Sequence, residues 1–251
     1  MDKAPLVSII TVVRNDAERL LTTIQSLTPY KGSRVEFVVV DGASTDGTLA
    51  VIESHRDLVD RYVSEPDRGL YDAMNKGISL ATGKYLLFLN AGDELLTDLE
   101  SMVQAAPETA VLVHGRANMF DQQGSLRYVK GKRIKSLRRF LKGMPLCHQT
   151  ALYRRDVIPH YDLRFKVMGD RVMTYTLLRK QGLKNACFVD RLMVNYYEGG
   201  LSWSFGEDFL REEEKLFYRS VGKRHYIAIK YLNAVFKHRI KLPLLRLLKK
   251  K

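Results

Sequence analysis

The sequence predicts an α/β protein with a mostly parallel, doubly wound sheet, and three observations support this fold class. Short apolar strand patterns alternate with stretches of helical spacing through the first half of the chain. Polar, turn-forming clusters directly follow three of these strands. At 251 residues and 45% hydrophobic content, the chain is long enough to bury a large core, and its two cysteines are too few for a disulfide framework. Alternating strands and helices are typical of parallel sheets.

The elements of the first half follow one another in a regular order. Leu6–Val13 is an apolar strand, and Asp16–Leu27 repeats apolar residues at helical spacing. Further strands are predicted at Val35–Val40, Leu58–Val63, Lys84–Leu89 and Val111–Val113, and further helices at Thr48–Ser54, Tyr71–Ala81 and Leu95–Ala105.

The second half is less regular, and its elements are predicted one by one. They are a hairpin at Asn118–Val129, an apolar strand at Thr150–Tyr153, a helix at Gly169–Lys180, one or two strands at Phe188–Tyr196 and a charged helix at Phe205–Arg219. No Gly/Ser-rich linker divides the chain.

The net charge of +13 is concentrated in two segments. Gln122–Arg155 and Lys223–Lys251 each carry ten basic residues and no acidic ones. In the second segment, lysines at helical spacing lie beside an apolar stripe, and Pro243 ends the helix. A basic amphipathic helix of this kind suits an anionic membrane surface, although a helix packed on the domain with a solvated basic face is the alternative.

Three polar clusters are candidates for a ligand site. Arg14–Asp16, Asp41–Ser44 and Asn90–Asp93 each follow a predicted strand. Ligands of open parallel sheets bind beyond the carboxyl ends of the strands, so we expect the clusters to converge. The glycine-rich phosphate loops of dinucleotide-binding and P-loop proteins are absent from the sequence. A divalent metal held by carboxylates is one other way to bind phosphates.

Four ordered motifs run through the first hundred residues: Val7–Asn15, Val39–Thr48, Glu65–Gly77 and Leu87–Asp93. Together they resemble family 2 glycosyltransferases, closely from Leu6 to Asp98 and more loosely to Ser202. The similarity is greatest to enzymes that build exopolysaccharide, colanic-acid-like or lipopolysaccharide repeat units. It implies a GT-A fold and a nucleoside-diphosphate sugar as donor.

The resemblance also implies a set of donor-binding residues. Asp41 is expected to accept a hydrogen bond from the nucleotide base, which needs a buried acceptor. Asp72 and Asn75 are expected on the donor side of a helix, with plain surface solvation as the alternative. His148 is expected near the donor sugar or diphosphate, with a structural role as the alternative. The full predicted set is Thr11, Val13, Arg14, Asp41, Asp72, Asn75, Asn90, Gly92 and His148.

The sequence departs from the family at the metal motif. Asn90-Ala91-Gly92 stands where the family has Asp-x-Asp, and Asp93 follows directly. We expect Asp93 to be the one protein carboxylate on a Mg²⁺ or Mn²⁺ ion, with the diphosphate supplying other oxygens. Catalysis without a metal, in which Lys or Arg neutralises the diphosphate, is the alternative.

The resemblance places the catalytic base at the start of the helix Gly169–Lys180. Inverting transfer needs a base for the acceptor hydroxyl, and Asp170 matches the family's carboxylate; a helix-capping role alone is the alternative. The expected acceptor is a saccharide, commonly carried in such pathways on a polyprenyl diphosphate lipid. This agrees with a peripheral location on the inner face of the cytoplasmic membrane.

These features define the predicted organisation. Residues 1–220 form a GT-A-like domain, with a nucleotide-binding half at about 1–115 and an acceptor half at about 116–220, and residues 221–251 form a basic amphipathic helical extension. Nucleic-acid binding is not expected, because the basic segments lie outside the motif-bearing half. A sugar-nucleotide-binding protein with little catalysis is the runner-up, because the metal motif is incomplete.

Overall fold

The computed structural model describes residues 4–30, 34–200 and 204–227. The chain packs into two units, residues 1–204 and residues 205–251. The first unit contains the sheet and all of the predicted site residues. The predicted domain division at residue 220 stays a prediction.

Nine strands form one sheet in the described part of the first unit. They are β1 (Val7–Val13), β2 (Val35–Asp41), β3 (Arg61–Ser64), β4 (Tyr85–Phe88), β5 (Glu94–Leu95), β6 (Leu112–Phe120), β7 (Leu126–Lys130), β8 (Ala151–Arg154) and β9 (Ala186–Tyr197). Their order across the sheet is β3-β2-β1-β4-β8-β6-β9-β5, and β7 pairs with β6 outside this path.

The helices alternate with the strands as the sequence predicts. They are α1 (Ala17–Leu27), α2 (Thr48–Ser54), α3 (Leu70–Leu80), α4 (Leu99–Gln104) and α5 (Gly169–Gln181) in the first unit, and α6 (Glu207–Ser220) in the second. Helix α1 shows why the pattern works. Asp16 caps its N-terminus by accepting from the Arg19 amide, and Leu20, Ile24 and Leu27 are buried on one side of the helix.

The α/β fold class is confirmed, and the strand pairings divide the sheet into two parts. β3, β2, β1 and β4 are parallel neighbours, as the alternating pattern predicts. β8 then lies antiparallel between β4 and β6, whereas β9 runs parallel to β6. The first part therefore presents the carboxyl ends of β1, β2 and β4 along one edge, where the three polar clusters follow them.

Local differences from the sequence prediction have simple causes. The helix predicted at Leu95–Ala105 is wrong at its start, because Glu94 and Leu95 pair with β9 and Asp98 caps a helix that begins at Leu99. The predicted hairpin is confirmed as β6 and β7, which are joined by a turn at residues 121–125.

The C-terminal extension is described only as far as residue 227. The amphipathic stripe predicted from Lys223 to Lys241 therefore lies largely outside the described residues. Within the part of the chain that is described, no helix is both long enough and apolar enough to span a bilayer.

Candidate active site

The loops that follow β1 and β2 are joined side by side at the edge of the sheet. The Asn15 amide donates to Ser44 Oγ over 2.7 Å, and the Thr45 amide donates back to Asn15 Oδ1 over 2.8 Å. Asn15 and Ala43 both adopt positive φ, which allows the two sharp turns to meet. Two of the three predicted polar clusters thus form one surface.

The third cluster, Asn90–Asp93, is held against this surface by β1 and α1. Thr11 Oγ1 donates to the Leu89 carbonyl over 2.7 Å, and Thr23 Oγ1 donates to the Asp93 carbonyl over 2.9 Å. Gly92 has φ +92°, and a Cβ atom there would lie 2.3 Å from Arg19 Nε. The loop therefore favours glycine at this position for its conformation, and a side chain there would also have to displace the Arg19 guanidinium.

Two adjoining cavities open beyond these loops. The first, the donor-side cavity, measures about 330 Å³ and contains four predicted site residues, Val13, Arg14, Asn90 and Asp93. The second, the base-side cavity, measures about 210 Å³ and contains Asn90 together with His148 and Asp170. They share Leu70, Asn90, Tyr196 and Gly200, so we treat them as a single cleft.

Asp93 is the buried carboxylate of the donor-side cavity, only 2% exposed. Its Oδ1 accepts from the Tyr197 amide over 3.1 Å, whereas its buried Oδ2 has no hydrogen-bond partner. Burial raises the pKa of Asp93 from 3.8 to about 8. A cation would provide the missing partner for Oδ2 and favour the charged form, so this residue fits a metal ligand.

The remaining ligands of such a metal are not a protein cluster. Among residues 4–30, 34–200 and 204–227, no group of three or more His, Cys, Asp or Glu side chains is arranged to hold an ion. Asn90 lines the same cavity as Asp93 and offers a neutral amide oxygen. The site therefore fits a cation whose other ligands come mainly from a bound phosphate ligand and water.

Asp170 lines the base-side cavity at the start of α5. Its Oδ1 accepts from the Arg171 amide over 2.7 Å, which fixes the carboxylate at the helix N-terminus. Lys130 and Lys166 line the same cavity, and the Lys166 ammonium donates to the Arg68 carbonyl over 3.4 Å. A carboxylate and two cations facing one small cavity can both accept a proton and bind an anionic group.

His148 lies behind this cavity in a network of buried hydroxyl groups. Its Nδ1 lies 3.1 Å from the Tyr153 hydroxyl, and its Nε2 lies 3.0 Å from the Tyr161 hydroxyl. Tyr153 in turn contacts Thr174 Oγ1 at 2.7 Å, and Thr174 donates to the Asp170 carbonyl over 2.8 Å. Burial lowers the pKa of His148, so the ring is held neutral between two tyrosines.

Five predicted donor residues lie outside the lining of the cleft. Thr11 is used in the contact with Leu89. Asp41 is fully buried and accepts from Ser64 Oγ at 2.5 Å and from the Ser44 amide at 3.1 Å. Asp72 accepts from the backbone and guanidinium of Arg68, which lowers the pKa of that carboxyl.

The fourth of these residues, Asn75, joins α3 to the segment that leads to α5. Its Nδ2 donates to the Tyr161 carbonyl over 3.0 Å, and its Oδ1 accepts from the Tyr161 amide over 2.8 Å. Both polar atoms of the amide are therefore engaged with backbone. Gly92, the fifth, lines an adjoining cavity that shares Arg19 and Tyr197 with the donor-side cavity. The donor roles of these residues stay predictions.

Comparison with known proteins identifies the family. Residues 8–162 match the family model described as glycosyl transferase family 2. The chain belongs to glycosyltransferase family 2. The match includes both the edge loops and His148, and it ends just before the segment that carries Asp170.

Named relatives and solved structures agree with this family assignment. Over 183 residues the glycosyltransferase is 33% identical to an uncharacterized glycosyltransferase, MT1564, of Mycobacterium tuberculosis, covering 68% of each chain. It is 35% identical over 182 residues to a PGL/p-HBAD biosynthesis glycosyltransferase of Mycobacterium bovis, covering 66% of this chain and 67% of that one. It is 23% identical to the putative glycosyltransferase EpsH of Bacillus subtilis, covering 85% of this chain and 72% of EpsH.

The solved structures confirm the GT-A fold. S. aureus TarS 1–349 in complex with UDP superimposes with a TM-score of 0.63 at 18% identity, covering 92% of this chain and 72% of TarS. Glucosyl-3-phosphoglycerate synthase from Mycobacterium tuberculosis, in complex with Mn²⁺, UDP and glucosyl-3-phosphoglycerate, superimposes with a TM-score of 0.56 at 17% identity. The match covers 88% of this chain and 80% of the synthase.

The glycosyltransferase has cleft residues that the sequence did not single out. Lys130 and Lys166 line the base-side cavity, and Arg19 and Tyr196 line the donor-side cavity. Lys166 lies four residues before Asp170, so proximity to the predicted base was an available signal. Lys130 was one of many lysines in a basic segment, and only the pairing of β7 with β6 places it in the cleft.

Proposed function

We propose that this enzyme is an inverting glycosyltransferase that moves a sugar from a nucleoside-diphosphate donor to a saccharide acceptor. The single observation that carries the proposal is the shared lining of the two cavities by Asn90. Through it, the buried carboxylate Asp93 and the helix-start carboxylate Asp170 belong to one cleft. A donor whose diphosphate lies at Asp93 would then present its anomeric carbon to an acceptor hydroxyl that lies at Asp170.

The donor side is supported by charge and by the family. Arg14 and Arg19 line the donor-side cavity with Asp93, so the cavity contains cations for a diphosphate. TarS has been solved with UDP and with UDP-GlcNAc, and glucosyl-3-phosphoglycerate synthase with UDP. We infer a nucleoside-diphosphate sugar here as well, with Asp41 accepting from the base in exchange for one of its contacts with Ser44 or Ser64.

The chemistry follows from the two ends of the cleft. Asp170 takes the proton of the acceptor hydroxyl as that oxygen bonds to the anomeric carbon. The bond from that carbon to the diphosphate breaks, and its electron pair leaves with the diphosphate. Lys130 and Lys166 line the cavity with Asp170 and stabilise negative charge on the reacting groups.

We assign a divalent cation, Mg²⁺ or Mn²⁺, to Asp93, supported by its unpartnered Oδ2. Such an ion would supply positive charge to the departing diphosphate. The Mn²⁺ in the solved glucosyl-3-phosphoglycerate synthase is consistent with this assignment. Neutralisation by Arg14, Arg19 and the two cavity lysines is the metal-independent alternative, and a chelator distinguishes the two because only a metal-dependent enzyme loses activity.

The proposed acceptor is a saccharide on a polyprenyl diphosphate lipid, used in cell-surface polysaccharide synthesis at the inner face of the cytoplasmic membrane. Support comes from the basic segments and from relatives named for PGL/p-HBAD biosynthesis. The C-terminal amphipathic helix remains part of the proposal, although it lies largely outside the described residues.

The test compares Asp170→Asn with Asp156→Asn, a control whose carboxylate is largely exposed and pairs with Arg154. Sugar transfer from UDP-, GDP- and dTDP-sugars is measured together with calorimetric donor binding. We expect Asp170→Asn to lose transfer by at least about a hundredfold and to keep donor affinity, while the control keeps both. Near-wild-type transfer by Asp170→Asn contradicts the assignment of the base. Donor binding without transfer by the wild type favours a sugar-nucleotide-binding protein instead.

A further inference from the structure

The β6–β7 hairpin is the most apolar exposed surface of the described chain. Leu126, Tyr128 and Val129 are 55%, 53% and 48% exposed, and no other large hydrophobic side chain in the described residues exceeds 41%. Three such residues lie within four positions of one strand, and a concentration of exposed apolar side chains commonly marks an interaction site.

The hairpin presents this apolar group on both of its faces. Tyr128 pairs with Met119, whereas Leu126 pairs with Phe120 and Val129 with Asn118, with a β-bulge between the first two pairs. Paired residues of neighbouring strands share a face, and Met119 points away from the face shared by its neighbours Asn118 and Phe120. Across the bulge, Tyr128 therefore projects from one face of the hairpin, and Leu126 and Val129 project from the other. A protein partner stacked on the sheet would cover one face, whereas a lipid interface surrounds both.

Charge identifies the chemistry of the partner. Arg127 lies in the hairpin, where its guanidinium is 3.7 Å from the Asp121 carboxylate, and the chain that follows carries further basic side chains. The exposed members of this basic group are Arg127, Lys132, Arg133, Lys135, Arg138, Arg139 and Lys142, and the sequence has no acidic residue from Gln122 to Arg155. Basic residues around exposed leucine and tyrosine are typical of a surface that enters an anionic bilayer interface. Two copies of the same hairpin would repel each other.

The hairpin also leads into the cleft. Lys130 is the last residue of β7, pairs with Ala117, and lines the cavity that contains Asp170. It lies two residues, about 7 Å along a strand, from Tyr128. By register, Lys130, Tyr128 and Met119 share one face of the sheet, and Met119 lines the same cavity.

We propose that the β6–β7 hairpin docks on an anionic membrane and presents the base-side cavity to the lipid surface. The apolar side chains enter the interface, the basic side chains contact acidic headgroups, and Lys130 faces the phosphate of an acceptor held at that surface. The proposal rests on the lipid-linked acceptor proposed above. Vesicle binding is measured without donor or acceptor, so its outcome is independent of transfer.

The main test is co-sedimentation of the full chain with phosphatidylglycerol/phosphatidylcholine vesicles. The hairpin variant carries Leu126→Ser, Tyr128→Ser and Val129→Ser. The matched control replaces three leucines exposed elsewhere in the same unit by serine: Leu49, Leu96 and Leu192. We expect the hairpin variant to partition at least about tenfold more weakly and the control to partition like the wild type. Equal partitioning of both variants overturns the proposal.

A second measurement isolates the hairpin from the C-terminal basic segment. An environment-sensitive fluorophore is attached to a cysteine placed at Tyr128 or, as control, at Leu49, in a Cys187→Ser background; Cys147 is buried. Anionic vesicles are expected to shift the emission at Tyr128 to the blue and leave Leu49 unchanged. No shift at Tyr128, or formation of a dimer in light scattering together with that unshifted emission, overturns membrane docking.

The charge contribution is tested separately. Arg127→Gln combined with Lys132→Gln should weaken binding by on the order of fivefold per charge, and added salt should weaken the wild type in the same direction. Binding that is equally tight to pure phosphatidylcholine vesicles contradicts the role of the basic side chains.

Discussion

Replacing Asp93 by asparagine tests both the buried charge and the metal assignment. The Asp93 carboxyl is 2% exposed, and burial raises its pKa from 3.8 to about 8. Between these two values the folded protein holds a proton that the unfolded chain has released. The contribution of Asp93 to stability is therefore complete below pH 3.8 and declines as the pH rises to about 8. Asparagine resembles the protonated carboxyl in shape and does not ionise.

The size of the effect follows from the proton difference. Each rise of one pH unit between the two pKa values lowers the free energy of unfolding of the wild type by about 1.4 kcal/mol relative to that of the asparagine variant. From pH 5 to pH 7, the free energy of unfolding of the wild type should fall by about 3 kcal/mol more than that of Asp93→Asn. Urea unfolding at a series of pH values measures this directly, and the comparison cancels all other titrating groups.

Addition of Mn²⁺ with UDP separates the two roles of Asp93. A cation on Asp93 favours the ionised carboxyl, so the pair of ligands should raise the stability of the wild type at pH 8 more than UDP alone does. The asparagine variant should gain no such increment. Parallel pH dependence of the two proteins would refute the buried-acid argument. An equal Mn²⁺ increment in both would remove Asp93 from the metal site.

Three further substitutions test other parts of the cleft. His148→Phe leaves the Tyr161 hydroxyl without its ring partner, so it should cost about 1–3 kcal/mol of stability. It should lower turnover while nucleotide affinity stays unchanged. A loss of nucleotide affinity in calorimetry equal to the loss of turnover contradicts this positioning role. Asp41→Ala should weaken nucleotide binding at least about tenfold by calorimetry, and an unchanged affinity removes Asp41 from the base pocket. Gly92→Ala should lower stability by about 1–3 kcal/mol, because alanine is strained at φ +92°. A thermal midpoint equal to that of the wild type would contradict this.

The sequence predicted the parallel half of the fold because its elements are set by local patterns. β1, α1, β2 and α2 each have their own periodicity, and each polar cluster ends its strand. The second half depends on pairings between distant residues. Nothing local indicates that β8 lies between β4 and β6, or that Leu112 in β6 pairs with Ala186 in β9. Long-range pairing of this kind is visible only in the folded chain.

In the candidate site, too, the residues within local motifs were predictable and their long-range contacts were not. Asp93, Asp170 and His148 were identified from motifs, and the structure places them around one cleft. The neighbours of their side chains were not predictable. Asn75 is held by the backbone of Tyr161, 86 positions away, and a sequence pattern does not show which polar atoms such a contact has already used.

The position of β8 in the centre of the sheet limits how this enzyme can be re-engineered. β8 begins three residues after His148, yet it completes the hydrogen bonding of β4, which lies in the predicted nucleotide-binding half. A chimera that joins the first 115 residues to the acceptor half of a relative must therefore preserve the β4–β8 register, or β4 is left as an exposed edge. We expect exchanges confined to β7 and the turn at residues 121–125 to be tolerated better, because β7 pairs only with β6 among the described strands, and to transfer surface preference without disturbing the donor side.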